Sequence, residues 1–215
     1  MAKMRKNKAL ILAHRGDHEV FPENSLTALL AAAKVADGFE TDIRQTADGV
    51  LVLAHDATAS DGRLIDQHPY RELNPLFPDG LARLDEFLTF VSPEAFAMLE
   101  IKVPGIDARV YQLAAPVFGA RLRLASFVAT QVQHVPPNQR WLIVHGRAEV
   151  PANLTDFSGL VARADAYPFK LVTEERAAWR VAVPVIPVLL ASRVGFLITD
   201  QPRAVRACLR TLFTE

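Results

Sequence analysis

The sequence predicts a compact (β/α)8 TIM barrel, on three observations. Short runs rich in Val, Ile, Leu and Phe alternate with Ala/Leu/Arg-rich stretches along the chain, the pattern of a βα-repeat domain. Nine such runs read as strands, and most have a helical stretch after them. The second and third are separated only by Gln45-Thr46-Ala47-Asp48-Gly49, and Asp-Gly between apolar runs signals a hairpin. One strand is then an antiparallel hairpin arm after the second strand, and eight remain for a closed parallel barrel. A doubly wound open sheet is the competing arrangement.

In order, the strands are expected at Lys8–Ala13, Phe39–Arg44, Val50–Ala54, Phe96–Val103, Leu122–Phe127, Arg140–His145, Leu160–Ala164, Val183–Leu190 and Phe196–Thr199. Helices are expected at Glu23–Ala36, where Pro22, Asn24 and Ser25 supply a start signal, and at Leu81–Val91, Ile106–Phe118, Thr173–Val181 and Pro202–Phe213. With 215 residues, half of them hydrophobic, residues 1–215 are read as one domain with a sizeable core.

Composition narrows the function. The 24 basic and 24 acidic side chains cancel, so no overall positive field draws in a nucleic acid or an anionic membrane. The basic stretch Lys3–Lys8 followed by Ala9–Ala13 superficially copies a signal peptide, but the apolar run is short and runs straight into His14-Arg15, as a buried strand would. Val181–Ala191 carries Pro184 and Pro187 and falls below the roughly 18 residues a span needs, so no membrane insertion is expected. The single cysteine, Cys208, forms no internal disulfide, which fits a reducing, cytoplasmic location, and its expected role is a small buried hydrophobe.

Barrel enzymes carry their working side chains at the carboxyl ends of strands. Here those ends hold His14-Arg15-Gly16, Glu40 and Asp42, His55-Asp56, Glu100 and Lys102, and Thr199-Asp200. Glu40 and Asp42 share one strand face, and Glu100 and Lys102 repeat the spacing with opposite charges. Three acids converging on one mouth call for a cation, and hard oxygen donors select Mg2+ or Ca2+, with Mn2+ as a third candidate. The alternative is a set of rim carboxylates paired with arginines. A two-residue turn in the hairpin sets His55 across from Asp42, and a four-residue loop sets it across from Glu40; a three-residue loop breaks the pairing. His14, His55, the acids, Arg15 and Lys102 together suit phosphodiester cleavage, with the cations on the phosphoryl oxygens and the histidines moving protons. His18 is assigned a solvent-facing role, and His68, His134, His145, Trp141 and Trp179 no chemical one.

His14-Arg15-Gly16, Pro22-Glu23-Asn24-Ser25, Glu40-Xaa-Asp42, Thr46-Xaa-Asp48-Gly49, His55-Asp56, Glu100-Xaa-Lys102, Ser126-Phe127 and Thr199-Asp200-Xaa-Pro202 closely resemble, in order, the glycerophosphodiester phosphodiesterase family. The resemblance runs from Ala9 to Pro202. It implies a phospholipase-C-like barrel that hydrolyses a small-molecule glycerophosphodiester to sn-glycerol 3-phosphate and an alcohol, with Mg2+ or Ca2+ as cofactor. It assigns Glu40, Asp42 and Glu100 as metal ligands, His14 and His55 as the acid/base pair, and Arg15 and Lys102 as phosphate-binding cations. Glu23 and Asn24 fit a supporting role or simply a helix start. Both direct attack by water and a cyclic phosphate route suit these residues. The alternatives are a lysophospholipase D-like enzyme on the same barrel, or a catalytically weak phosphodiester-binding barrel.

Two departures stand out. Ala57–Gly62 is shorter than the family's stretch after His-Asp and lacks its Arg, so a reduced outer wall is expected. Val185–Leu190 lacks the family's Trp, and only Ala191–Gly195 precede the last strand, so the penultimate βα unit is expected to be truncated.

Overall fold

The strands of the barrel are β1 Leu10–His14, β2 Gly38–Gln45, β3 Leu51–Leu53, β4 Phe96–Ile101, β5 Leu122–Ser126, β6 Arg140–Val144, β7 Gly159–Arg163, β8 Ala177–Arg180 and β9 Phe196–Thr199. The helices are α1 Leu26–Val35, α2 Tyr70–Leu73, α3 Leu84–Phe90, α4 Asp107–Phe118 and α5 Pro202–Phe213. The computed structural model describes residues 9–144, 159–163, 177–180 and 195–213. The proposed strand at 183–190, the truncated unit after it, the missing Trp, His145 and the Lys3–Lys8 stretch lie outside them, as do the side chains of Trp179 and Cys208.

Parallel ladders run β1-β2-β4-β5-β6-β7-β8-β9, and β9 pairs back onto β1, so eight parallel strands close the ring. The close contact of β2 and β4 requires Gly38, because a Cβ there would lie 2.0 Å from the Phe96 carbonyl oxygen. One element departs from expectation. Residues 177–180, assigned to the end of a helix at Thr173–Val181, form β8 between β7 and β9. The helix preference of Ala and Arg is worth less than about 1 kcal/mol per residue, whereas a missing strand would leave two ladder edges unpaired.

Alternation along the strands decides which side chains enter the barrel. Ile11, Ala13, Phe39, Ile43, Ala97, Leu99 and Ile101 pack outward in the main apolar cluster with Leu29, Phe87, Val110 and Phe118. Leu12, Met98, Ala125, Trp141, Ile143 and Ile198 form a separate inner cluster that fills the base of the ring. His14, Glu40, Asp42, Arg44, Glu100 and Lys102 share the parity of the inner set; His14, Arg44, Glu100 and Lys102 lie at or just beyond the carboxyl ends of their strands, and Glu40 and Asp42 lie midway along β2, which runs on past them into the hairpin.

The hairpin has the length that breaks the expected pairing. Thr46 donates its N–H to Val50, Gly49 sits at φ 83°, and β2 pairs β3 as Ile43 with Leu53 and Gln45 with Leu51, a three-residue loop. His55 is therefore cross-strand from neither Asp42 nor Glu40. The cause is Asp48, whose carboxylate accepts both the Thr46 hydroxyl and the Tyr70 N–H and fixes the turn. The chain after His55 folds back onto the hairpin. Ala59, Ile65, Leu73 and Leu81 pack on Val52 and Ala54 as a small apolar cluster of their own. The Tyr70 hydroxyl donates to the Leu81 carbonyl and Asn74 Oδ1 accepts the Leu81 N–H, so this segment is a built wall.

Candidate active site

Strand register assembles the site. β1 pairs His14 with Glu40, and β4 pairs Glu100 with Asp42, so four inward-facing side chains from three adjacent strands are brought together. Oxygen atoms of Glu40, Asp42 and Glu100 lie within 4.8 Å of one another, and all three residues are buried. Burial, then the charges of Asp42 and Glu100, push the Glu40 carboxyl well above its ordinary range. Glu100 is likewise raised by burial and Asp42. Asp42 goes the other way: although burial opposes its charge, Lys102, the Asn24 amide and Arg15 together hold it below its usual value.

Pairing with cations accounts for part of this cluster. Lys102 Nζ lies 2.7 Å from Glu100 Oε1 and 3.4 Å from Asp42 Oδ1. The Arg15 guanidinium grips Glu23 through Nη1 at 2.8 and 2.9 Å and approaches Asp42 at 3.4 Å through Nε. Glu40 is left over: Oε2 accepts the Arg15 backbone N–H at 3.2 Å, while the buried Oε1 has no partner. A buried carboxylate oxygen with nothing to bond is costly. Three convergent hard-oxygen donors, one of them orphaned, fit a divalent cation, and pairing alone does not explain Glu40. A second group with metal-ligating atoms, His14, His18 and Asp200, adjoins the first through His14.

Asn24 does more than start a helix. Ser25 is the N-cap of α1, accepting the Ala28 N–H. Asn24, in the left-handed conformation at φ 55°, turns its side chain inward, donating to Asp42 Oδ2 at 3.0 Å and accepting from the Thr41 hydroxyl at 2.6 Å. Glu23 holds Arg15, so both proposed supporting residues are in contact with the site.

The two histidines differ in setting. His14 is buried, with Nδ1 2.5 Å from Asp200 Oδ1 and Nε2 3.7 Å from Glu40 Oε2. Sequence analysis left Asp200 out of the site and His18 in solvent, yet His18 Nε2 also lies 3.1 Å from Asp200 Oδ1. The available signal was closure: β1 pairs Ala13 with Thr199, so the next residues, His14 and Asp200, are brought side by side. His55 is more exposed, just past β3, with Nδ1 2.8 Å from Asp56 Oδ1. Its charge acts on both Asp42 and Glu100, so it borders the acids despite the altered register. Beside it opens a cleft of about 420 Å3, lined by Asn24, His55, Thr58, Ser60 and Phe77 among others. A second residue missed in the sequence is Arg44, which donates from Nε and Nη2 to the His55 carbonyl at 3.0 and 2.7 Å. No helix among the described residues is long and apolar enough to cross a membrane.

Residues 14–118 match the model of the Glycerophosphoryl diester phosphodiesterase family. The chain is 48% identical over 52 residues to a glycerophosphodiester phosphodiesterase of Caldanaerobacter subterraneus, covering 24% of this chain and 21% of that protein. It is 42% identical over 78 residues to human glycerophosphodiester phosphodiesterase 1, covering 33% of this chain and 24% of the relative. The aligned segments thus span only about a fifth to a quarter of these relatives. In structure, the chain is similar to a glycerophosphodiester phosphodiesterase of Parabacteroides distasonis, with TM-score 0.80, 22% identity and coverage of 97% of this chain and 99% of that one. It is similar also to an Oleispira antarctica phosphodiesterase in complex with the product sn-glycerol-3-phosphate, with TM-score 0.75, 19% identity and coverage of 93% and 96%.

Proposed function

We propose that the chain, whose residues 14–118 match the model of the Glycerophosphoryl diester phosphodiesterase family, is an enzyme of that family and hydrolyses water-soluble glycerophosphodiesters to sn-glycerol 3-phosphate and an alcohol by histidine acid/base catalysis. The observation that carries this reading is the buried triad of Glu40, Asp42 and Glu100 with His14 against it and His55 at its border. Glu40, Asp42 and Glu100 would hold a divalent cation, Mg2+ or Ca2+, which when bound offsets the phosphodiester's charge and polarises its P–O bonds.

The protein's own groups supply the rest. In the tautomer that donates Nδ1–H to Asp200, His14 presents Nε2 as a base, and the Asp200 carboxylate favours the imidazolium that results from proton uptake. His55, oriented through Nδ1 by Asp56, gives a proton from Nε2 to the departing alkoxide, which leaves toward the adjacent cleft. Lys102 and Arg15 keep positive charge at the mouth, where the anionic phosphoryl group must sit.

A second reading is lysophospholipase D-like activity. It is favoured by Val20 and Phe21 after β1 and Phe127 and Val128 after β5, apolar side chains exposed on loops that follow the carboxyl ends of strands. The test is a panel of glycerophosphocholine, glycerophosphoethanolamine and lysophosphatidylcholine with Mg2+, Ca2+, Mn2+ or a chelator, reading released sn-glycerol 3-phosphate and choline. Metal-dependent turnover of the first two supports the proposal. Turnover of the lysophospholipid alone replaces it with the second reading, and binding without turnover makes the chain a phosphodiester-binding barrel.

A further inference from the structure

β3 ends at Leu53, and the three-residue hairpin loop leaves His55 beyond the last ladder pair with no cross-strand acid opposite it. The last backbone bond tying this segment to β2 is the Ala54 N–H donated to the Asp42 carbonyl at 3.0 Å. Past that bond the chain turns away into the wall segment, so the position of His55 needs a separate cause.

Arg44 supplies one. It follows Asp42 by two residues on β2 and therefore shares its face, and Asp42, Asp56 and Glu100 all bear electrostatically on its guanidinium. Two of its N–H groups converge on the one carbonyl oxygen of His55, at 3.0 and 2.7 Å. Bonds from a planar cation to a carbonyl are stronger and more directional than those between neutral groups. We propose that Arg44 is a positioning residue: its guanidinium clamps the His55 backbone so that the imidazole stands over the acid cluster at the edge of the cleft. The inference rests on the functional reading above, in which His55 transfers the proton to the leaving alcohol.

The clamp has a specific signature. Displacing a proton donor by about 1 Å costs on the order of 10–100-fold in rate and leaves ground-state binding largely intact. Arg44→Met is expected to lower kcat for glycerophosphocholine by about that factor, with KM changed less than about twofold. Arg44→Lys, which keeps the charge and one donor, should recover part of the loss. In a His55→Ala background, Arg44→Met should cost nothing further, because there is no imidazole left to place. A crystal structure of Arg44→Met, checked against its melting temperature, should show residues 54–56 displaced in a folded chain.

The outcomes separate. An inactive wild-type chain overturns the functional reading and this inference with it. An active wild type with a strongly impaired His55→Ala variant but unchanged kcat in Arg44→Met overturns this inference alone. A raised KM with kcat preserved, persisting in the His55→Ala background, also overturns it and makes Arg44 a substrate-binding cation.

Discussion

Glu40→Gln separates what the acid cluster costs from what it is for. In the metal-free chain Glu40 is buried, one oxygen has no partner, and its carboxylate lies within 4.8 Å of two others. Two like charges at that distance repel by about 3 kcal/mol at an effective dielectric near 20. Proton uptake and the nearby Arg15 relieve much of this, leaving a net gain of about 1–3 kcal/mol for a neutral amide, or about 2–10 °C in Tm for a chain of this size. The sign with pH follows from the raised Glu40 carboxyl. Its contribution to wild-type stability is full below the ordinary glutamate range and is lost as pH rises toward the folded value, so the advantage of the variant widens with pH over that window. Asp42, held low, contributes oppositely, with its stability lost only as pH falls below the ordinary aspartate value, and it does so in both proteins. Added Mg2+ or Ca2+ should reverse the order, since a ligand at 100 times its Kd stabilises by about 2.7 kcal/mol and the variant lacks one donor. The assay is thermal melting of both proteins from pH 5 to 8, in chelator and in metal. A variant that melts below wild type in chelator, or that gains as much from metal, refutes the reasoning.

Other substitutions test the remaining parts. His14→Ala and His55→Ala should each lower kcat by roughly 10²–10⁴-fold with non-additive losses in the double variant, read from initial rates at saturating substrate. Asn24→Ala removes the bonds to Asp42 and Thr41 and should cost about 1–3 kcal/mol in denaturant unfolding and weaken metal binding by calorimetry. Gly38→Ala forces a Cβ against the Phe96 carbonyl oxygen and should fail to give a cooperatively folded barrel by circular dichroism. Ser60→Trp narrows the cleft beside His55 and should raise KM for glycerophosphocholine several-fold with kcat kept, if the leaving alcohol is held there.

Much of the site was legible because strand alternation and the strand-end rule are local. Glu40-Xaa-Asp42 and Glu100-Xaa-Lys102 needed only a period of two to be set facing inward, and the register of β1, β2 and β4 then brought them together. What the sequence hid depends on single-residue offsets or distant closure. The hairpin loop is three residues long because Asp48 also serves Tyr70, a partner 22 positions away, and one residue of loop length moves His55 to a different cross-strand partner. Asp200 meets His14 across 186 positions, only because the last strand closes on the first. The strand Ala177–Arg180 has helix-forming composition and is decided by neighbours on both sides. The wall after His55 is made of short turns and a four-residue helix whose apolar contacts are scattered, so no periodicity announces it.

The central claim is that the acid triad and the histidines form one hydrolytic centre for glycerophosphodiesters. It is tested most directly by following glycerophosphocholine by phosphorus NMR with the purified chain in Mg2+ or Ca2+, beside a chelator control and the Asp42→Asn variant. The account predicts loss of the diester resonance and growth of that of sn-glycerol 3-phosphate in the metal-loaded wild type, with little or no change in the other two samples. An unchanged diester with either ion, or equal hydrolysis in chelator after removal of tightly held metal, would contradict it.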